Sequence, residues 1–197
     1  FEELAKQTLP PGDQALLLRA AENYFHAEEN EQAAALLARI NTRAAPNLDF
    51  PKRLLIAELA ISKSRPDEAL SLLNEGMPSD TSSDLQQRFH AVRAEGFRLA
   101  GNLLESANEL GDLDLLIEDM DKRLANQLLI IQTLSALTDT ALDLLQPNPP
   151  GIQGGWMALA RIIKGHTGGT SRIQEQLKLW REKFPSHPAV PGLLEGY

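Results

Sequence analysis

Few residues of this sequence have the types and spacing that catalysis or metal binding requires. The four histidines, His26, His90, His166 and His187, lie 64, 76 and 21 residues apart. None of them forms the i, i+4 pair that places two metal ligands on one face of a helix. No serine shares a recognisable motif with a histidine and a carboxylate, and there is no cysteine. We therefore predict surface or packing histidines, no metal, no cofactor and no enzyme activity.

Two other stretches have the composition of a ligand site but not its pattern. Five carboxylates lie within residues 112–121, yet a calcium loop needs a central glycine and a spaced terminal glutamate, and leucines stand there instead. We interpret this stretch as a solvated connection. The glycines of 165–170 would follow a helix and lack the lysine of a phosphate-binding loop, so we predict a turn between two helices.

The elements that could position functional residues are helical, and residues 51–76 show this most clearly. They form two short amphipathic segments joined by a polar break at 64–66. Pro66 suits the first turn of a helix, where its missing N–H is not needed. Asp67, in the same turn, favours the positive end of the helix dipole, and Gly76 is typical of a left-handed helix stop. The pattern predicts a helical hairpin.

This hairpin repeats, as in tetratricopeptide (TPR) proteins, whose helix pairs recur about every 34 residues. Residues 31–37 match 67–73 with an offset of 36, and residues 105–107 continue the series with an offset of 38. A last unit spans 156–185. We predict an all-α fold of TPR-like helix hairpins that form a right-handed curved α-solenoid.

Small residues mark where the two helices of each pair meet. In the first two units these residues are 12 positions apart: Ala21 with Ala33, and Ala57 with Ala69. In the third unit Gly96 and Ala107 are 11 positions apart, so we interpret this unit as degenerate.

The repeat pattern is less regular in the later part of the chain. We expect a helix over 103–110, a connection over 111–121, helices over 122–137 and 138–145, and a last hairpin of 156–164 and 170–184. The Pro/Gly-rich loop at 146–155 is the clearest internal seam, and residues 190–197 have the composition of a linker. We predict a single domain over 1–197. Because the chain begins at Phe1, we expect a removed leader or a piece of a longer protein.

Composition excludes several classes of partner. Leucine and alanine dominate, aromatic residues make up 5%, and the net charge is −8 with a pI near 5.0. Nucleic acid and anionic lipid surfaces are therefore poor partners, since both need a basic face. No apolar run approaches the roughly 18 residues that would span a bilayer.

In a helix-repeat array the first helix of each pair lines a concave surface. The small-residue register predicts an apolar and acidic row of contact residues there: Leu18, Glu22, Phe25, Leu54, Glu58, Ile61, Arg93 and Phe97. The first two units lack the lysine, arginine and asparagine with which chaperone-tail repeats clamp a carboxylate. Two interpretations remain open. The row is covered by the array or a neighbouring domain, or it is a groove for an extended or helical segment of a partner.

The last hairpin carries a more specific pattern. A G-W-x-x-L segment opens it and a W-x-x-x-[FY]-P-x-[HN]-P segment closes it, at Gly155, Trp156, Leu159, Trp180, Phe184, Pro185, His187 and Pro188. The pattern and the earlier hairpins resemble the N-terminal TPR-like domain of the LpoA family, outer-membrane lipoproteins that activate a class A penicillin-binding protein. The resemblance covers nearly all of the chain.

The resemblance implies a non-catalytic arm that regulates peptidoglycan synthesis from the periplasmic side of the outer membrane. It implies a lipid anchor on a cysteine upstream of Phe1 and a periplasmic-binding-protein-like domain beyond residue 197. The expected partner is a class A penicillin-binding protein, contacted mainly through that second domain, and we expect a monomer with no small-molecule substrate. The alternative from the repeats alone is a generic adaptor that holds a peptide or helix in its concave groove.

Overall fold

The computed structural model describes residues 11–138, 140–141, 151–165, 170–189 and 191–195. Within these ranges the regular structure is helical, and the predicted all-α, TPR-like class is confirmed. We number the helices in chain order: α1 Pro11–His26, α2 Asn30–Arg39, α3 Asp49–Ser62, α4 Pro66–Leu72, α5 Ser83–Leu99, α6 Leu103–Asp114, α7 Met120–Ser135, α8 Ile152–Lys164, α9 Thr170–Lys183 and α10 Pro191–Glu195. A 3₁₀ turn at Pro46–Leu48 precedes α3.

Several predicted boundaries were wrong. Helix α6 continues to Asp114 instead of ending at residue 110, and α8 begins at Ile152, four residues before Trp156. The expected linker contains α10, in which Leu193 and Leu194 are buried. In each case an apolar or small face packs against neighbouring helices, and tertiary packing of this kind overrides weak local propensity. Residues 1–9, which the sequence indicates to be a short helix or a frayed end, lie outside the described residues, and the predicted helix over 138–145 lies mostly outside them.

The turns after α1, α3 and α5 share one backbone conformation. Each contains a residue in the left-handed region, Glu28 at φ 61°, Ser64 at φ 55° and Gly101 at φ 81°. In each turn the next residue donates its N–H to the carbonyl oxygen five residues earlier, at 2.8, 2.9 and 2.8 Å. This is the hydrogen bond of a Schellman cap. For the two non-glycine residues the conformation costs about 1–2 kcal/mol, so the packed helices on both sides impose it.

These left-handed residues fix the register of the repeat, with offsets of 36 and 37 residues. The residues seven before and five after the left-handed residue are the ones at which paired helices meet: Ala21 with Ala33, Ala57 with Ala69, and Ala94 with Ser106. All six are buried. The third pair is therefore also 12 residues apart, and its predicted register at Gly96 and Ala107 was wrong. The Ser106 hydroxyl donates a 2.8 Å hydrogen bond to the Ala94 carbonyl oxygen, so a serine replaces the expected alanine.

The chain forms two compact units, Phe1–Val92 and Arg93–Tyr197, and the boundary falls inside α5. The first unit contains two apolar clusters, one around Leu37 and Leu55 and one around Leu54 and Leu73. The second unit contains one larger cluster that includes Trp156 and Trp180. The prediction of one domain with a seam at 146–155 stays a prediction.

Candidate functional site

An ion-pair cluster in the first unit joins three helices that each begin a helix pair. Arg88, on α5, binds both carboxylate oxygens of Glu58, on α3, at 2.9 and 2.7 Å. Its third nitrogen lies 3.0 Å from a carboxylate oxygen of Glu22, on α1. The hydrogen bond that Arg88 donates to Glu58 is the main cause that raises the pKa of Arg88. Burial opposes this rise, and the charges of both glutamates add to it.

The cluster retains a net negative charge because two carboxylates share one guanidinium. Glu22 and Glu58 each directly follow the small residue of their helix, which is how the repeat register predicted both. Arg88 was missed. Its equivalents in the earlier pairs, counted from the left-handed residue, are Ala15 and Pro51, so the repeat pattern carries no signal for it.

The apolar members of the predicted row have different environments. Leu18 and Leu54 are 6% and 0% exposed and belong to the apolar clusters. Phe25 and Ile61 are half-buried at the edges of those clusters. The covered interpretation therefore applies to the two leucines. Phe25 and Ile61 retain accessible surface and lie three residues after Glu22 and Glu58, on neighbouring positions of the same helix face.

Of the two predicted residues of the second unit, Arg93 contacts both Phe97 and Glu109. The Arg93 Nε donates to a Glu109 carboxylate oxygen at 2.7 Å, and its guanidinium carbon lies 5.2 Å from the centre of the Phe97 ring. In the third pair the small residue of the first helix is Ala94, two residues before the predicted Gly96. The position equivalent to Glu22 and Glu58 is therefore Glu95 and not Phe97. Arg93 and Phe97 therefore do not occupy the repeat positions of the earlier residues, and their role as contact residues stays a prediction.

The closing motif of the last hairpin is a packed aromatic cluster around His187. The imidazole centre lies 4.5 Å from Trp156 and 4.9 Å from Trp180, both edge-on. Trp180 donates its indole N–H to the Gly155 carbonyl oxygen at 2.9 Å. A Cβ atom added at Gly155 would lie 2.6 Å from His187 Nε2, and closer still to Cδ2. Glycine is thus required where the ring approaches α8.

Hydrogen bonds fix the tautomer of His187. Nδ1 accepts the Ala189 backbone N–H at 3.2 Å, so Nε2 carries the proton and donates to the Ile152 carbonyl oxygen at 3.0 Å. Burial lowers the pKa of His187, opposed by the Ile152 bond and the charge of Asp114. The predicted packing role is confirmed for this histidine. His26 is exposed and His90 packs edge-on against Phe89, while His166 lies outside the described residues.

The solvated connection predicted over 111–121 was wrong at Asp114, which is fully buried at the end of α6. Its carboxylate accepts a 3.0 Å hydrogen bond from Gln127 and lies 3.3 Å from Arg123. Arg123 and Gln127 are one turn apart on α7, so one face of that helix supplies the partners of Oδ2. The same Gln127 amide donates to the Pro188 carbonyl oxygen at 3.0 Å, which ties the closing segment to α7.

The described helices include none that is both long and apolar enough to cross a membrane. The chain is an α-helical repeat protein of the TPR-like class. The features that define this class here are the repeated hairpins with a common turn, the ion-pair cluster on successive first helices and the packed closing motif. A family model described as "LppC putative lipoprotein" matches residues 3–193. The chain belongs to this family of cell-envelope lipoproteins.

Curated relatives carry the name penicillin-binding protein activator LpoA. The relative from Mannheimia succiniciproducens is 24% identical over 177 residues, 90% of this chain. The relative from Aliivibrio fischeri is 29% identical over 167 residues, 83% of this chain. The chain spans 31% and 27% of the length of these two proteins. Both relatives are named as activators and not as enzymes.

Solved structures share the fold. The amino-terminal domain of E. coli LpoA has a TM-score of 0.79 at 18% identity, covering 96% of this chain and 86% of that domain. The LpoA N-terminal domain from Haemophilus influenzae has a TM-score of 0.71 at 18% identity, covering 95% and 85%. Full-length LpoA from H. influenzae matches over 94% of this chain and 34% of its own length, with a TM-score of 0.75.

Proposed function

We propose that this chain is the non-catalytic helical arm of a lipoprotein that activates a class A penicillin-binding protein and so regulates peptidoglycan synthesis. The observation that carries the proposal is the alignment of 90% of the chain with a relative named penicillin-binding protein activator. The packed closing motif supports it, because the residues that carry the resemblance to activators are the ones that hold the last hairpin together.

The proposed setting is the periplasmic side of the outer membrane. We place a lipid anchor upstream of residue 1 and a periplasmic-binding-protein-like domain after residue 197, with 1–197 as one monomeric TPR-like domain. The lengths of the relatives support a longer protein, since the chain covers less than a third of each. The arm works by positioning, because it holds the following domain at a distance from its anchor, and no bond is made or broken.

The proposed contact surface of the first unit consists of Glu22, Phe25, Glu58 and Ile61. Arg88 holds the two carboxylates in place, and the two apolar side chains keep accessible surface beside them. Protein interfaces combine an apolar core with a polar rim, and these four residues supply both kinds of surface. Leu18 and Leu54 support this surface from below, where their burial stabilises α1 and α3.

Direct binding to the cognate class A penicillin-binding protein tests the proposal. The natural longer protein and the chain over 1–197 are compared side by side. The Kd of each is measured by surface plasmon resonance on the immobilised penicillin-binding protein. We expect the longer protein to bind and to stimulate glycan polymerisation. Failure of both forms to bind would overturn the activator proposal. Binding by the longer form alone would make this chain a spacer.

Charge insertion tests the contact surface itself. Phe25→Glu combined with Ile61→Glu should weaken binding of the short form at least tenfold, with unchanged helix content by circular dichroism. The matched control is Leu16→Glu with Tyr24→Glu, since these side chains on α1 are 63% and 39% exposed. Equal loss in both double variants would refute a specific surface.

The second candidate function is a peptide-holding adaptor that acts independently of the synthase. The observation that favours it is the accessible surface of Phe25 and Ile61 beside the charged cluster. It predicts that the short form captures a periplasmic peptide or helix without any affinity for the penicillin-binding protein.

A further inference from the structure

A second groove of the first unit lies between α2, α3 and α4. Its volume is about 290 Å³, and its floor is apolar, formed largely by Leu37, Ile56 and Leu59. Leu37 and Leu59 are almost fully buried, while Ile56 is half-buried. Helix α4 is only seven residues long, so it does not cover the full length of α2 and α3. The groove is therefore a gap in the packing of the second helices.

The rim of this groove is basic in an acidic chain. Four charged residues line it, Lys52, Lys63, Arg65 and Glu68, and three of the four are cations, although the whole sequence carries a net charge of −8. Glu68 lies 3.5 Å from Arg65, and both are exposed, so this ion pair contributes little. Among the described residues, no carboxylate lies within ion-pair distance of Lys52 or Lys63.

Hydrogen bonds hold the Lys52 ammonium and the backbone on both sides of Ser64. Lys52 donates its ammonium to the Ile40 carbonyl oxygen at 2.8 Å, which closes the end of α2. Lys63 and Arg65 flank Ser64, the non-glycine residue in the left-handed region. The Arg65 N–H donates to the Ala60 carbonyl oxygen at 2.9 Å. Little ordering entropy remains to be lost in the backbone when a partner binds here.

We propose that this α2–α4 groove docks an acidic amphipathic helix of a protein partner. One or two apolar side chains of that helix fill the groove, and its flanking carboxylates meet Lys63 and Arg65 on one side and Lys52 on the other. An engineered cavity of about 150 Å³ holds a benzene ring, so the groove has room for about two large side chains. Helix-in-groove docking with charged flanks follows the same pattern of anchors and rim.

The charge and the size of the groove disfavour other occupants. Ligand pockets usually span about 300–1,000 Å³ and enclose most of the ligand, whereas this groove lies at the low end and is open along one side. Anionic membranes repel a chain with a net charge of −8, and three cations do not offset that charge. An acidic helix needs only the local basic rim and an apolar anchor site.

The test is a titration of the isotope-labelled chain with a designed probe, a short helical peptide with one leucine stripe flanked by glutamates. Backbone amide shifts should change along α2, α3 and α4. Lys63→Glu with Arg65→Glu should raise the Kd for the probe at least tenfold, and Ala38→Trp, which fills the groove from an exposed lining position, should do the same. The matched control, Lys178→Glu with Arg181→Glu, changes the charge equally on exposed positions of α9 and should alter the Kd less than twofold.

Three results would overturn the proposal. They are equal binding of a probe whose glutamates are replaced by lysines, amide shifts confined to other helices, and no binding of the glutamate probe at millimolar concentration. Phosphatidylglycerol vesicles that shift the same amides when the peptide does not would assign the groove to lipid instead. None of these measurements uses the penicillin-binding protein, so their failure is distinguishable from failure of the proposed activator function.

Discussion

Substitution of Gly155 by alanine tests the closing motif most directly. The added Cβ would lie 2.6 Å from His187 Nε2, inside the van der Waals limit, and the helix backbone of α8 cannot move without shifting Trp156. The imidazole must therefore leave its position between the two tryptophans. Its hydrogen bonds to Ile152 and Ala189 are lost with it.

The magnitude follows from the contacts that are lost. Two aromatic contacts contribute about 0.5–1.5 kcal/mol each, and the two hydrogen bonds contribute about 1 kcal/mol net each. Replacing glycine by alanine within a helix returns about 1 kcal/mol through higher helix propensity. We therefore expect Gly155→Ala to lower the free energy of unfolding by about 2–4 kcal/mol.

Urea unfolding monitored by tryptophan fluorescence and circular dichroism measures this change. The matched control is Gly111→Ala on α6, where no atom lies within 4 Å of an added Cβ, so this variant should gain about 0.5–1 kcal/mol. In the double variant Gly155→Ala with His187→Ala, the loss should be smaller than the sum of the single losses, because the clash is already relieved. Equal stability of the two glycine variants would refute the proposed clash.

Four further changes have defined outcomes. Ala69→Leu, at a site 1% exposed between α3 and α4, should cost about 1–3 kcal/mol by overpacking, and an unchanged melting temperature would contradict the repeat register. Ser64→Gly should raise the free energy of unfolding by about 0.5–1 kcal/mol, since glycine adopts the left-handed conformation without the steric cost; a lower urea midpoint would refute this. Arg88→Met should cost about 1–3 kcal/mol at pH 7, because Glu58 and Glu22 lose their shared partner in a partly buried site; addition of salt should recover part of the loss by screening the two carboxylates. Burial lowers the pKa of His187 below its ordinary 6.5. The neutral ring therefore contributes its full stability above pH 6.5, and this stability is lost as the pH falls through the folded pKa. Urea midpoints should accordingly fall from pH 7 to pH 5 less steeply in His187→Gln than in the unmodified chain.

The first two hairpins could be predicted because their signals are local. The alanine spacing of 12 and the proline at the start of α4 depend on residues within one helix pair, and the structure confirms both. The third pair was misplaced because Ser106 stands where the pattern expects an alanine. Gly96, two residues after Ala94, is the smaller residue and was taken as the meeting point instead. Only the left-handed conformation of Gly101 identifies the correct register.

The acidic stretch shows where local reasoning stops. Sequence pattern alone gives Asp114 the appearance of a surface residue between leucines, but α7 brings Arg123 and Gln127 to it and makes burial of the charge feasible. In the same way, Arg88 joins Glu22 and Glu58 across 66 and 30 residues of sequence. Neither partnership has a periodic signal.

The sequence by itself determined the all-α class, the repeated hairpins and the motif that carries the family resemblance. These follow from helix periodicity, caps and small-residue spacing, which are set by neighbours along the chain. The tertiary structure alone decided which candidate residues are buried, which charges are paired, and where a basic-rimmed groove remains open. Those properties depend on side chains that folding brings together from distant positions in the sequence. Contact between such side chains and their burial from water cannot be inferred from the spacing of residues along the chain.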